Sequence, residues 1–452
     1  MREIKGTTRV CGLIGNPVEH SISPIIHNSL SEIIGIDMVY ANFKVEKDDV
    51  RDAICGAYAL NIKGLNVTVP HKSAVIDCLV DIDPLAAAIG AVNTLVRVDG
   101  GYKGYNTDIL GLERELEEEQ LTIKGNTCII LGAGGAARAI TFLCASRGAS
   151  KVYILNRSLE RAKKIADAVN EHARKEVVYA LSINDYRNIT ENDCLCIQCT
   201  SVGLYPNVDD VIIKDNEFYK KISAGVDIIY NPATTRFMKL CMDNGKKAYN
   251  GLKMLLYQGI CAYELWNGVT ITKSQCNKIY TKMQANMAGN IILIGFMGSG
   301  KTSFGKWISK HKEMDFIDTD AYIEQQEKCC INEIFKTKGE EYFRDLETKT
   351  IRKLSKTLTN TVISVGGGLA LRRENREIMK SMGEVVYLET AKHELIKRLS
   401  GSNNRPLLKG VDLSARIDEL MSKREELYRD AATVIVNTTG RDFSSMYKDI
   451  VG

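Results

Sequence analysis

Four residues of the stretch NIILIGFMGSGKT, Gly295, Gly300, Lys301 and Thr302, stand at the spacing G-x-x-x-x-G-K-[ST]. In such a loop the glycines let backbone N–H groups close around a phosphate, the lysine reaches the β- and γ-phosphates, and the hydroxyl faces Mg²⁺. A nucleoside triphosphate is the expected guest, cradled by Gly298, Ser299, Gly300, Lys301, Thr302 and Ser303. Downstream, EMDFIDTDAYIE reads as a strand ending with Asp318 and Asp320, and alternate residues of a strand share a face. One carboxylate can join Thr302 at the metal while the other accepts a hydrogen bond from an attacking hydroxyl. Arg344, Arg405 and Arg424 lie beyond, more guanidinium than a nucleotide needs. An acceptor with its own carboxylate explains them, because the guanidinium fork grips carboxylates bidentately. Surface solvation is the rival account of any single arginine.

The beginning of the chain carries different chemistry. GNPVEHSISPIIHN sets Ser21 and Ser23 two apart, just ahead of Pro24. In an extended segment both hydroxyls face one way, and as helix caps they would serve the backbone instead. Thr68 and Lys72 in NVTVPHK fall just past the end of a strand, where open α/β sheets hold ligands. AVNT and GYNTD add Asn93, Asn106 and Asp108. Together these groups suit a polar ligand with several hydroxyls. If Lys72 and Asp108 meet in a cleft, the carboxylate steadies the ammonium and the pair can pass a proton to a developing alkoxide. On an open surface the same pair is worth little.

Between these two stretches, NTCIIL runs into GAGGAARAITFLCASRG, where Gly132, Gly134 and Ala137 fit G-x-G-x-x-G/A. With Ala133, Gly135 and Ala136 they make a turn that sets a pyrophosphate on a helix N-terminus. The next strand, KVYIL, ends in NRSLER, at the place where NAD-binding chains carry an acid for the ribose 2′-hydroxyl. Here stand Asn156, Arg157, Ser158 and Arg161. Two arginines four apart on a starting helix flank one 2′-phosphate, which argues for NADP; two solvated arginines are the alternative.

Both glycine loops follow apolar, β-branched runs and precede helical patterns, so the fold class is α/β throughout. A phosphate loop follows the first strand of its fold, which assigns nearly everything before residue 289 to another unit. The expected order is a substrate domain at 1–110, completed by helices at about 245–272, and a Rossmann NADP domain at 111–244. A linker at 273–289, without a clear apolar period and read alternatively as the fraying end of the preceding helix, leads to a P-loop domain at 290–452 with a parallel sheet flanked by helices. From Asn250, GLKMLLYQGICAYELW reads as an amphipathic helix burying Leu252, Leu255, Leu256, Gly259 and Tyr263, with Gln258 leaving that face toward a ligand.

A net charge of +4 over 452 residues, with acids and bases interspersed, argues against nucleic acid or a membrane surface as partner. MREIKGTTRV is no signal peptide, and no apolar run approaches about 18 residues. The 13 cysteines are therefore expected as thiols in a reducing cytoplasm. Cys196 and Cys199 spell C-x-x-C without a second pair, and DCLCIQC reads as strand packing. Assembly into a homo-oligomer stays open.

Taken in order, GNPVEHSISPIIHN, NVTVPHK, AVNT, YNTD, GAGGAARA, NRS, YNP and GLKMLLYQG make residues 5–285 resemble shikimate dehydrogenase. The resemblance implies shikimate binding by Ser21, Ser23, Thr68, Lys72, Asn93, Asp108 and Gln258, with Lys72 catalytic, Asp108 beside it, and Tyr230 from Y-x-P. Gln198 and Leu204 in QCTSVGL depart from the family's Asn and Met, which touches the nicotinamide side. GFMGSGKT, FIDTD, GEEYFR, GGG, RPLL and REELY make residues 290–452 resemble shikimate kinase. That resemblance implies Asp318 on the metal side and Asp320 on the substrate hydroxyl. Arg344, Gly367, Gly368 and Arg424 would bind shikimate, Arg405 would belong to a lid over ATP, and Arg398 would lie beside the adenine. Jointly they imply NADPH-dependent reduction of 3-dehydroshikimate and MgATP-dependent phosphorylation of shikimate, two consecutive steps toward chorismate and the aromatic amino acids. Quinate as a further substrate, and a degenerate half acting as a nucleotide-responsive regulator, are the alternatives; a transcriptional regulator would want a helix-turn-helix or a basic stripe, and the sequence has neither.

Overall fold

Seventeen short strands assemble into three sheets in the computed structural model, which describes residues 4–400 and 412–451. The chain divides into two units at Ile279 and Tyr280. In the first unit, β1 (Arg9–Gly15), β2 (Met38–Lys44), β3 (Gly64–Val67), β4 (Asp81–Ile82), β5 (Thr94–Val98) and β6 (Gly101–Tyr105) form a mixed sheet of order β2-β1-β3-β5-β6-β4. There β1 pairs parallel with β2 and β3, and β5 runs antiparallel to β3 and β6.

The second sheet holds β7 (Thr127–Leu131), β8 (Lys151–Asn156), β9 (Val178–Ser182), β10 (Cys194–Gln198), β11 (Ile222–Asp227) and β12 (Lys247–Asn250). Its order, β12-β11-β10-β7-β8-β9, is wholly parallel. The strand order reverses between β7 and β10, the crevice where doubly wound sheets take dinucleotides, and the glycine turn after β7 opens there. The middles of its central strands, Cys128 to Leu131, Val152 to Leu155 and Cys194 to Ile197, are apolar and buried, as a sheet covered by helices on both faces requires. Cys194 and Cys196 are packing residues of one such face.

In the second unit, β13 (Asn290–Ile294), β14 (Asp315–Asp318), β15 (Thr361–Ser364), β16 (Gly383–Glu389) and β17 (Val434–Asn437) form a parallel sheet of order β14-β15-β13-β16-β17. Separate apolar clusters cover its two faces, one centred on Ile292, Ile363 and Tyr387, the other on Leu293, Phe304 and Val386.

Two expectations change. The segment read as a linker forms a helix, Lys273–Ala288, because Cys276, Ile279 and Met283 recur at helical spacing and are buried. The helix Leu252–Asn267 buries every residue from Leu256 to Tyr263 rather than one face, as a helix inside a core does. It packs on the helix Thr107–Glu118 so closely that a Cβ on Gly111 would lie 2.6 Å from the Gln258 nitrogen and 2.7 Å from the Met254 carbonyl oxygen. That contact sets the distance between the elements bearing Asp108 and Gln258.

One turn past Gly111, Glu115 is buried at the same crossing, and neither carboxyl oxygen has a hydrogen-bond partner among the described residues. Burial pushes its pKa from 4.5 up to about 8; Lys253 opposes the shift and Glu119 adds to it. The folded chain therefore holds this proton more tightly than the unfolded chain between those two values, and stability falls as pH rises across that window. Glu115→Gln is expected to stabilise the first unit by ~1–3 kcal/mol above pH ~8 and by little near pH ~5. Thermal unfolding at both pH values checks this; an equal gain at both would mean that charge is not the cause.

Among the described residues no helix is long and apolar enough to cross a membrane.

Candidate active sites

The first cluster forms where the loops after β1 and β3 meet, since Thr68 N–H donates to the Ile14 carbonyl at 3.0 Å and Asn16 N–H to that of Val69 at 3.0 Å. Lys72 follows four residues after Thr68, and Val92 N–H reaches its carbonyl at 2.8 Å, bringing the Asn93 segment alongside. The Lys72 ammonium donates to Asp108 Oδ2 at 2.6 Å, with the two side chains 34% and 26% exposed. Asp108 sits in the first turn of Thr107–Glu118, capped by Asn106, whose side chain accepts from Ile109 N–H. Asn93 Oδ1 accepts from Thr107 N–H at 2.7 Å, which joins Asn93 to Asp108 through one peptide.

Ser21 Oγ donates to Ser23 Oγ at 3.2 Å and accepts from Ser23 N–H at 3.3 Å, so it serves both its neighbour's hydroxyl and the first amide of the helix Ser23–Ile34. Gln258 is buried, with its amide donating to the Leu255 carbonyl at 2.9 Å. Tyr230 stands half-buried past β11 and hydrogen-bonds to none of these groups among the described residues. Sequence reasoning passed over Asn66, which accepts from Tyr40 Oη at 2.8 Å and donates to Thr94 Oγ1 at 3.0 Å and to the Asn93 carbonyl at 3.3 Å. An asparagine inside a buried strand of apolar residues was the available signal.

The second cluster is the turn after β7. Gly132 has φ +116°, a backbone that L side chains rarely adopt. A Cβ on Gly134 or Gly135 would meet nothing within 4 Å, so the backbone entering the helix Gly135–Ser146 lies bare to a ligand, with Ala133 and Ala136 beside it. At the end of β8, Asn156 Nδ2 donates to the Ser158 carbonyl at 2.9 Å, and Ser158 caps the helix Leu159–Ala173. Arg157 and Arg161 are exposed, and neither guanidinium has a partner among the described residues. Bare helix-start amides and two free cations fit a dinucleotide carrying a 2′-phosphate.

Gln198 is buried and donates to the carbonyls of Thr200 at 3.3 Å and Val202 at 3.1 Å and to Asp227 Oδ1 at 3.3 Å. It braces the TSVG loop from below. Leu204 is 40% exposed beyond that loop.

The third cluster surrounds a cavity of about 960 Å³ in the second unit, lined by Gly298 to Ser303 and by Asp318, Asp320, Arg344, Arg398 and Arg424. Gly295, Gly298 and Gly300 have φ values of +143°, +84° and +94°, which lets the loop wrap over the start of the helix Lys301–Lys312. Lys301 Nζ donates to the carbonyls of Gly295 at 2.9 Å and Phe296 at 3.0 Å, and Arg398 Nη1 to that of Gly298 at 3.3 Å. Thr302 Oγ1 donates to Asp318 Oδ2 at 2.9 Å, and the Ser299 hydroxyl is buried without a hydrogen-bond partner among the described residues. A nest of amides, an ammonium, and a hydroxyl beside a carboxylate fit a triphosphate with its Mg²⁺.

Asp318 and Asp320 reach this cavity by different means from those expected. The strand ends at Asp318, whose Oδ1 caps the helix Thr319–Glu327 by accepting from Asp320 N–H at 3.1 Å. Asp320 lies in the first helical turn, because an aspartate at a strand end is also a strong helix cap. Burial, then the charge of Asp318, pushes the Asp320 pKa from 3.8 up to about 6, and its Oδ1 has no hydrogen-bond partner among the described residues. A Cβ on Gly366 would lie 2.4 Å from that Oδ1, and one on Gly368 would lie 1.9 Å from Arg344 Nη1, so the glycine run exists to admit these groups. Gly367 is less crowded, and its carbonyl accepts from Tyr428 Oη.

Arg344 is held by Glu347 at 2.7 Å and Glu340 at 2.8 Å. Glu347, 1% exposed, was missed from sequence, although an acid three residues after an arginine on a helix signals such a pair. Burial raises its pKa to about 7 against the pull of Arg344. Arg405 lies outside the described residues.

Family models match three stretches: shikimate dehydrogenase substrate binding domain at 13–95, shikimate / quinate 5-dehydrogenase at 115–205, and shikimate kinase at 297–451. The NADP(+) shikimate dehydrogenase of Caldanaerobacter subterraneus subsp. tengcongensis is 41% identical over 285 residues, 63% of this chain and 100% of that protein. A solved shikimate dehydrogenase in complex with NADP+ is 38% identical, with a TM-score of 0.57 over 62% of this chain and 96% of its own. The enzyme from Listeria monocytogenes, solved with shikimate and NAD, is 31% identical, with a TM-score of 0.58 over 62% and 98%.

Proposed function

We infer that this chain, which belongs to the shikimate dehydrogenase family and carries a shikimate kinase domain in the same polypeptide, reduces 3-dehydroshikimate with NADPH and phosphorylates shikimate with MgATP. The product of one site is the substrate of the other. The observation that carries the reading is the presence of a lysine–aspartate pair and a dinucleotide turn in one unit, and of a phosphate loop facing buried arginines in the other.

Residues 1–110 with 245–272 would hold the hydroxylated acid, 111–244 the dinucleotide, and 290–452 the kinase chemistry. Bound NADPH supplies a hydride to the ketone carbon. Lys72 is the proton donor to the developing alkoxide, and Asp108 keeps its ammonium aimed. Ser21, Ser23, Thr68, Asn93, Tyr230 and Gln258 would orient the ring hydroxyls and carboxylate. Arg157 and Arg161 favour NADPH over NADH by pairing with the 2′-phosphate, each charge-assisted bond worth about 1.5–3 kcal/mol.

In the second unit ATP brings the transferred phosphoryl group with its Mg²⁺. Thr302 and Asp318 would hold the metal and Lys301 would face the phosphates, and Asp320 accepts the proton of the attacking hydroxyl. Arg344 and Arg424, with the bare backbone of Gly367 and Gly368, would grip the acceptor's carboxylate and ring. Quinate is not favoured, since the NADP(+) relative above is a shikimate dehydrogenase by name. A reducing cytoplasm suits the 13 free cysteines.

Supplying 3-dehydroshikimate, NADPH, Mg²⁺ and ATP to the purified chain should consume NADPH in preference to NADH and yield shikimate 3-phosphate. NADPH loss without phosphorylated product, or product only from added shikimate, would remove one half of the assignment.

A further inference from the structure

Both cysteines of the second unit are neighbours in sequence, and neither has been given a task above. Cys330 is exposed and lines the phosphotransfer cavity on the wall it shares with Ile331, Phe335, Phe343 and Arg344. Cys329 lies half-buried against Ile323, Ile334 and Phe343. Cys330 opens the helix Ile331–Leu354 with extended backbone, its carbonyl accepting from Glu333 N–H at 2.9 Å and Ile334 N–H at 3.1 Å, while its side chain caps nothing. The thiol is thus spare, on an exposed residue of the cavity lining. Glu347 Oε1 lies on the same cavity, buried and without a hydrogen-bond partner among the described residues, so this is a built ligand surface rather than a bare helix start. Every other cysteine belongs to the first unit, where all are buried except Cys55 and Cys78.

We propose that Cys330 is a modification site, at which thiol–disulfide exchange with a low-molecular-weight disulfide closes the acceptor end of the kinase cavity while the dehydrogenase half keeps working. The Cys330 thiolate attacks one sulfur of the disulfide, a new S–S bond forms, the old one breaks, and the second half departs as a thiolate. Excess thiol reverses the exchange by the same route. The consequence for phosphorylation rests on the shikimate reading of this cavity.

The test incubates the full chain with oxidised glutathione, locates adducts by peptide mass spectrometry, and follows both reactions. The expected result is an adduct on Cys330 and a roughly tenfold or greater loss of phosphorylation from blocked access. Reduction of 3-dehydroshikimate stays constant, dithiothreitol restores the kinase, and shikimate slows labelling where NADPH does not. Cys330→Ser, which places a favoured capping residue at that helix start, keeps phosphorylating and resists glutathione, whereas Cys329→Ser stays sensitive. No adduct at Cys330, full kinase turnover in labelled protein, or equal inactivation of Cys330→Ser overturns the proposal. Phosphorylation by the untreated chain is measured in the same series, so failure of the kinase assignment shows separately from failure of the thiol site.

Discussion

Lys72→Ala is expected to lower the reduction of 3-dehydroshikimate by roughly 10³-fold, the middle of the range for a positioned general acid, while phosphorylation of supplied shikimate proceeds at the unmodified rate. The Lys72–Asp108 contact of 2.6 Å joins an ammonium to a carboxylate where the segments after β3 and β6 meet. Without the ammonium, Asp108 is an acceptor only, and the alkoxide forming on the substrate has no proton to take. Both side chains are partly exposed, and such pairs contribute little to stability, so the variant should fold. Lys72 follows β3 of the first sheet, whereas the arginines that would hold the 2′-phosphate follow β8 of the second, and NADPH affinity should hold steady in a fluorescence titration. Reduction persisting in the alanine variant would remove Lys72 from the reaction. Loss of both activities from a folded chain would mean that the two units depend on one another.

What the sequence made readable was local chemistry with a fixed spacing. Gly295 to Thr302 and Gly132 to Ala137 each announce a backbone shape that other residues resist, and both turns stand where expected. Lys72 and Asp108, 36 residues apart, meet because each follows a strand of one sheet, and the two motifs named the pair before any sheet order was known. Less readable were groups whose task is to hold others. Asn66 and Glu347 sit in apolar or mixed stretches where spacing gives a faint signal, and Gln198 stands out only as a departure from the family; burial with complete or half-complete hydrogen bonding shows what each holds. Asp320 does not share the strand with Asp318, because the residue that ends β14 also caps the next helix, and strand period cannot continue past a cap. The 273–288 helix escaped because its buried positions, Cys276, Ile279 and Met283, are diluted by lysines and polar residues.

Asp320→Asn should reduce shikimate phosphorylation by roughly 10²–10⁴-fold, the span general-base catalysis supplies, and should also make the second unit more stable. The two effects share one cause. Burial and the neighbouring Asp318 raise the Asp320 pKa from 3.8 to about 6, so the folded chain binds this proton more tightly than the unfolded chain between those values. Stability contributed by Asp320 therefore falls as pH climbs through that interval, and above it the ionised carboxylate is a standing cost that an amide does not impose. The ionised form is nevertheless the one that can take a proton from the acceptor hydroxyl, so the native rate should decline as falling pH protonates Asp320. Glu347 titrates higher, at about 7, beside Arg344, so a limb belonging to it would survive in Asp320→Asn while the lower limb disappears. Measuring kcat against pH alongside thermal unfolding separates the cases. An inactive variant that melts higher at pH ~8 has lost a base and not its fold, whereas one that melts lower has lost a structural contact, and Asp320 would then be a support for the Gly366 turn and not the proton acceptor.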